Sequence, residues 1–351
     1  MNVWHLVYRI DSLTYTVARS LSEGGHHVFV WVVEPKQDYG LSEGIYVALR
    51  DTPRVTIVGR DESRLPEQIE RLIVQVFPRP LDSLRGVPAL AARSRSITLI
   101  TSGDRSRSLR NAIKMQWLET RSLGWNAFKL DRVVYKDGFF PRDFFGLFKP
   151  RHALGFDAHS QFLHDEELFR AMHAADWDPA AHRPIRVNFM GCQDPDVRKQ
   201  VLDTIRPLFH MDDARATSTA SDKTMFWHEY TNAAPVGLDP REFVRILTDS
   251  DFTLCPRGYS LVTHRPIEAL LRGSVPVLAA SELDLYGVEF VDRENCIVVP
   301  DAQWSQTIER LTRTDESVLV RMRSNIRAMV ENHLRYGVLA RELRRRLGVA
   351  A

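Results

Sequence analysis

The stretch from Met1 to Val33 constrains the fold more than any other part of the chain. Asn2 to Ile10 is a short apolar run rich in Val, Trp, Tyr and Ile, suited to a buried strand. Ser12 to Ser22 follows with Leu13, Thr16, Val17, Ser20 and Leu21 along one helical face. Gly24-Gly25 stops that helix, and His27 to Val33 reads as a second strand. Strand, helix, glycine, strand is a βαβ opening, and such units imply a parallel sheet with right-handed crossovers. The fold class expected is therefore α/β.

The alternation continues. Val55–Val58 reads as a strand, Pro66–Leu72 as a helix, and Ile73–Phe77 and Ile97–Thr101 as strands. A helix around Leu109–Ser122 and an apolar Val133–Tyr135 follow. Prolines, scattered histidines and lost periodicity then mark an interdomain region over residues 151–183, with a short helix at Glu166–His173. A second βα series starts at Ile185–Met190 and runs through Gly191 into a helix over Pro195–Leu208. Later come a helix at Phe243–Leu247, a strand at Phe252–Cys255, a helix at Pro266–Arg272, and strands at Val275–Leu278 and Cys296–Val299. Helices over Gln303–Leu311 and roughly Ser317–Leu347 close the chain. At about 150 residues per domain, 351 residues leave room for two. The expected division is a Rossmann-like unit over 1–150, the interdomain region over 151–183, a second Rossmann-like unit over 184–330, and a terminal helix over 331–351.

Composition excludes several classes. With 47 basic and 45 acidic residues the net charge is +2, which gives no global reason to expect nucleic-acid binding. Hydrophobic residues at 44% and charged residues at 26% exclude a disordered chain. No apolar run approaches the ~20 residues of a membrane helix. The first residues, interrupted by Arg9 and Asp11, do not resemble a cleavable signal. Cys192, Cys255 and Cys296 are far apart and odd in number, so neither a disulfide framework nor a C-x-x-C knuckle is expected. The chain reads as cytoplasmic and reduced.

The chemistry concentrates in Ser250–Ala280. Its pattern is strand, loop, short helix, strand. Arg257 and Gly258 stand just beyond a strand's carboxyl end, where open α/β sheets bind ligands. Pro266 suits a first helical turn, with His264 and Arg265 beside it. Free N–H groups and cations there favour a pyrophosphate. Glu268 lies one turn in, where a carboxylate can accept both hydroxyls of a ribose. The alternative is a pair of surface arginines and an i,i+4 Glu268–Arg272 pair. The histidine spacings, such as His159-x4-His164, match no helical pair with a third metal ligand.

The segment S-x-F-x-L-C-P-R-G, then R-x-x-E-A-L, then G-x-V-P-V-L resembles the carboxy-terminal motif of the exostosin-type glycosyltransferases. A second match, R-P-I-R-V-N-F-M-G with Arg198 in the next helix, is similar to the strand and glycine that open that family's donor domain. The resemblance spans about residues 183–312 and is most specific over 250–278. It implies a GT-B fold of two Rossmann-like domains facing across a cleft, with carboxy-terminal helices packing back toward the first. It also implies a nucleotide-sugar site, with Gly191, Arg198, Arg257, Gly258, His264, Arg265 and Glu268 as donor-binding residues and UDP as the nucleotide. Many retaining GT-B enzymes carry two glutamates across this loop and helix; eight positions before Glu268 stands Ser260. The resemblance accordingly implies inversion, with no metal or other cofactor required.

Direct displacement needs a general base on the acceptor hydroxyl. Asp11, directly after the first strand, and Asp104 are the candidates, with Asp157 and His159 in reserve. For each, a helix cap or a solvated loop carboxylate is the competing role. Two basic clusters, Arg85/Arg93/Arg95/Arg105/Arg107/Arg110 and Arg341/Arg344/Arg345/Arg346, read as solvated faces or as attraction to an anionic glycan, a lipid-linked acceptor or a membrane surface. The activity expected is sugar transfer in surface polysaccharide or glycolipid synthesis. The rivals are a nucleotide-sugar epimerase of similar fold and a non-catalytic glycan-binding partner.

Overall fold

The structure is a computed structural model describing residues 1–7, 10–33, 42–58, 65–76, 87–101, 123–135, 151–153, 165–194, 196–209, 223–231, 237–258, 263–283, 286, 288–300 and 303–349. The chain divides into two units, Met1–Asp165 with Gly337–Ala351, and Glu166–Tyr336.

The first unit is built on a seven-stranded sheet of order β3-β2-β1-β4-β5-β6-β7. Its strands are β1 (Asn2–Val7), β2 (His27–Val32), β3 (Val55–Val58), β4 (Ile69–Val76), β5 (Ser94–Thr101), β6 (Leu130–Tyr135) and β7 (Arg151–Ala153). Every pairing is parallel. The described helices are α1 (Ser12–Glu23), α2 (Ser42–Asp51) and α3 (Val87–Arg93). α1 forms where the sequence placed it: its Asp11 cap satisfies the Thr14 N–H, and Gly25, at φ +81°, follows its end. Leu6, Trp31, Leu72, Val74 and Leu90 share one buried cluster, with Trp4 stacked on Phe29 at 5.0 Å between centroids.

One expectation fails here. Pro66–Leu72 is not a helix; Ile69–Val76 is a strand in register with both β1 and β5. A central strand of a parallel sheet is covered on both faces, so its apolar run need not alternate, and Leu72, Ile73 and Val74 are wholly buried. β7 also falls inside the segment read as interdomain, pairing Arg151 with Val133. The helix expected at Leu109–Ser122 lies outside the described residues.

The carboxy-terminal helix α10 (Tyr336–Leu347) belongs mostly to this first unit. Arg344 donates to the Ser20 carbonyl at 2.7 Å, and Ser20 Oγ donates to the Ala340 carbonyl at 2.9 Å. The last carbonyls of α10 are capped from the sheet, Arg345 O by Arg132 at 3.1 Å and Leu347 O by Thr98 at 3.0 Å.

The second unit carries a five-stranded parallel sheet of order β12-β11-β10-β8-β9. Its strands are β8 (Ile185–Cys192), β9 (Thr224–Tyr230), β10 (Ser250–Leu254), β11 (Val275–Ala279) and β12 (Ile297–Val299). Its helices are α4 (Glu166–His173), α5 (Asp196–Ile205), α6 (Pro240–Asp249), α7 (Arg265–Leu271), α8 (Trp304–Leu311) and α9 (Glu316–Met329). The long terminal helical stretch is interrupted: a π-turn over Val330–Leu334 and an extended Arg335 separate α9 from α10. Gly273 ends α7 at φ +71°, and a Cβ there would strike the Trp177 ring, so this glycine is required twice over. Behind the sheet, Asp251 on β10 is fully buried and meets Arg323, Lys223 at 2.8 Å and Arg186 at 3.0 Å. Burial pushes this carboxyl up, against the pull of those three cations.

No helix of the described residues is long and apolar enough to cross a membrane. Among the described residues, no three His, Cys, Asp or Glu side chains are gathered to hold a metal ion.

Candidate functional site

Each sheet reverses its strand order once, and at such a switch point the two flanking loops part and leave a crevice at the carboxyl ends of the strands. In the second unit the reversal falls between β8 and β10. Gly191 and Cys192 end β8, and Cys255 to Gly258 follow β10. Arg198, in the first turn of α5, joins the two: its Nη1 donates to the Cys192 carbonyl at 3.0 Å and its Nε to the Arg257 carbonyl at 3.1 Å. Gly258 lies against that guanidinium, and a Cβ there would collide with it. At Gly191 a Cβ would make ordinary contacts with Phe189 at 3.4 Å and Arg198 at 3.8 Å, so space alone does not demand glycine there.

Positive charge accumulates at this point. Burial, and next the charge of Arg265, hold Arg198 below the usual arginine value. A cation in a first helical turn also opposes the helix dipole. Arg257 is exposed and has no ion pair among the described residues. Arg265 lies over the Phe243 ring, 4.5 Å from its centroid, and faces Glu268 with Nε 3.3 Å from Oε2. Its Nη1 is buried without a hydrogen bond among the described residues. His264 precedes α7 without capping it through its side chain. Glu268 is wholly buried behind Arg265. The structure thus brings together six of the sequence-derived residues, Arg198, Arg257, Gly258, His264, Arg265 and Glu268, with Gly191 at the neighbouring strand end.

Two residues that sequence reasoning missed complete the surroundings. Tyr286 is fully buried, and its hydroxyl accepts from the Thr263 N–H at 3.1 Å, tethering the chain just before α7. Glu282, just beyond β11, is 2% exposed, and neither carboxylate oxygen has a hydrogen-bond partner among the described residues. Burial pushes its carboxyl up to about 7, although Arg257 and Arg198 pull it down. Its position directly after a strand end, like that of Arg257, is the signal that could have found it. The Cys255 thiol lies among the same groups; burial pushes it up, against the influence of Arg265.

In the first unit the reversal falls between β1 and β4, and Asp11 sits there. Its Oδ1 accepts from Thr14 N and Thr14 Oγ1, each at 2.8 Å, and Gln75 on β4 donates to both its oxygens at 3.1 Å. Asp11 is a helix cap held across the switch point. Beneath it, burial drives the wholly buried His5 down to about 3, with Gln75 acting the other way, so this imidazole is neutral. Asp104, Asp157 and His159 lie outside the described residues.

In the carboxy-terminal arginine cluster, Arg341 and Arg345 are exposed. Arg344 is buried against α1, while Arg345 and Arg346 both pair with Glu342 at 2.6 Å. Of the amino-terminal cluster, Arg93 donates to the Leu65 and Pro66 carbonyls and Arg95 to Gln68. Arg85, Arg105, Arg107 and Arg110 lie outside the described residues.

Residues 167–288 match the family model of the RXYLT1 C-terminal domain, an exostosin-like glycosyltransferase family. That span holds the whole arginine cluster. No curated protein matches the chain by sequence. Among solved structures, HepE from Anabaena in complex with UDP superposes with a TM-score of 0.58 at 11% identity, over 99% of this chain and 100% of that one. The trehalose-6-phosphate phosphatase N-terminal domain of Candida albicans gives 0.55 at 10% identity, over 99% and 98%. Sucrose-phosphate synthase from Thermosynechococcus elongatus gives 0.53 at 13% identity, over 98% of each chain. At such identities the likeness is one of fold. The chain has the GT-B fold, and residues 167–288 of its second unit are similar to the RXYLT1 C-terminal domain.

Proposed function

We propose that this protein is an inverting glycosyltransferase that moves a sugar from a nucleoside-diphosphate donor to a glycan or glycolipid acceptor. The observation that carries the reading is the group of three arginines at the β8/β10 switch point. Among the described residues, exposed Arg257 has no ion pair and Arg265 has a buried N–H without a hydrogen bond. Buried donors without acceptors are rare in folded proteins, and an anionic ligand would satisfy these. Leaving-group departure places a second negative charge on the β-phosphate, and fixed cations stabilise that charge as it forms. Arg198, Arg257 and Arg265 are assigned this role.

Glu268 is assigned to the ribose hydroxyls. It lies beneath Arg265, in an ion pair that lacks hydrogen-bond geometry. Turning Arg265 toward the phosphates would uncover it. UDP is the nucleotide favoured, since the Anabaena neighbour was solved with UDP and with UDP-glucose. For the base that deprotonates the acceptor, Asp11 is the described candidate and Asp104 the second. Inversion, surface polysaccharide as product, independence of metal and a cytoplasmic location remain parts of this proposal that rest on the resemblance.

The test is nucleotide binding followed by calorimetry or thermal shift. UDP and UDP-sugars should raise the melting temperature of the wild type, and Arg257→Ala and Arg198→Ala should remove the increase. Unchanged shifts in both variants would show that the site lies elsewhere. Free sugar released without an acceptor, with epimerised donor recovered, would favour the epimerase instead.

A further inference from the structure

Three carboxylates are buried in the second unit among the described residues: Asp251, Glu268 and Glu282. Asp251 meets three cations and Glu268 faces Arg265. Glu282 has no such partner among the described residues, and both of its oxygens are shut from solvent without a hydrogen bond to any of them. An unpaired carboxylate in this condition works against folding, and its persistence calls for a ligand group that completes it.

Its position indicates which group. β11 runs parallel to β10 with Leu254 opposite Val277, and the Cys255 N–H donates to the Val277 carbonyl at 3.0 Å. Glu282 therefore emerges from the same edge of the sheet as Arg257 and Gly258. The opposing charges that act on it are Arg257 first and Arg198 second, the two arginines assigned to the diphosphate. A phosphate oxygen would be repelled by an ionised carboxylate and offers a protonated one little beyond what the arginines already give. The ribose is assigned to Glu268. What remains of a nucleotide-sugar near the diphosphate is the hexose or pentose itself, whose neighbouring hydroxyls are donors suited to a two-oxygen acceptor.

We propose that Glu282 is a specificity-determining residue that binds hydroxyls of the transferred sugar. This inference rests on the donor-site reading above and adds the part of the ligand that reading leaves unassigned. It makes discrimination among sugar nucleotides a property of the second unit: a sugar that cannot present two hydroxyls to Glu282 leaves a buried acceptor unsatisfied and is rejected.

The experiment measures the affinities of UDP, UDP-glucose, UDP-galactose, UDP-xylose and UDP-N-acetylglucosamine for the wild type, Glu282→Gln and Glu282→Ala. Circular dichroism melts establish that each variant is folded. The expected result is that both variants keep or improve UDP affinity while the best UDP-sugar weakens by about tenfold or more, as for loss of a charged hydrogen-bond acceptor. Preference among the sugars should narrow with it. Equal loss of UDP and UDP-sugar binding would assign Glu282 a structural or ribose-binding role and overturn the proposal. Wild-type UDP-sugar affinity in both variants would also overturn it. Absence of binding by the wild type to UDP and all four UDP-sugars would overturn the donor-site reading first, and this assignment with it.

Discussion

Replacing Glu282 with Gln should stabilise the protein at alkaline pH and lose that advantage as the solution is acidified. Burial lifts this carboxyl from 4.5 to about 7. At about 1.4 kcal/mol per tenfold change in proton affinity, the folded state bears a penalty of about 3 kcal/mol wherever both states are ionised. Below the unfolded value both states are protonated and the penalty vanishes. It grows as pH rises from 4.5 and is complete above about 7. Between pH 5 and 8.5 it should change by about 2.5 kcal/mol. A Gln amide at the same place has its own desolvation cost, but that cost does not vary with pH. The diagnostic is thus the slope of the difference between wild type and variant. Urea denaturation of both proteins at half-unit pH steps measures it. A difference that stays flat from pH 5 to 8.5, or moves toward the wild type, would refute the claim that Glu282 is held buried and unpaired.

Other outcomes follow from particular contacts. Gly258→Ala places a Cβ against the Arg198 guanidinium; nucleotide affinity should fall by about tenfold or more while the melting temperature changes little, as read by calorimetry. Asp251→Ala leaves Arg323, Arg186 and Lys223 buried without their shared carboxylate, and denaturation should show a loss of about 3–5 kcal/mol. Asp11→Asn keeps a good N-cap, so stability should hold within about 0.5 kcal/mol. If Asp11 is the base, transfer should nonetheless slow by about a hundredfold or more. Full transfer activity in that variant would remove Asp11 from the reaction.

How much of this was legible in the sequence depends on whether a residue's role is local. The βαβ opening was readable because Asp11, the apolar face of α1 and Gly25 act through neighbours a few residues away. α7 was readable for the same reason, from Pro266 at its start to Gly273 at its end. β4 was misread because Pro66 to Leu72 has helix-forming residues and no alternation, and only pairing with β1 and β5 makes it a strand. β9 was missed for the opposite reason. It is an edge strand whose side chains are mostly half-buried, so Thr224–Tyr230 carries no continuous apolar signal. Within the site, the arginines could be found from their place after strands and before helices. For Glu282 the sequence offers only its place just after β11; its burial and its lack of a hydrogen-bond partner among the described residues are set by the tertiary fold. The bond from Gln75 to Asp11 spans the β1/β4 reversal, which no local pattern encodes.

The central claim is that the β8/β10 switch point of the second unit binds the donor's diphosphate. A crystal structure of the protein with UDP tests it most directly. The account predicts density for the two phosphates within hydrogen-bonding distance of Arg257 and Arg265, beside the Arg198 bridge. Phosphate density away from all three arginines would contradict it.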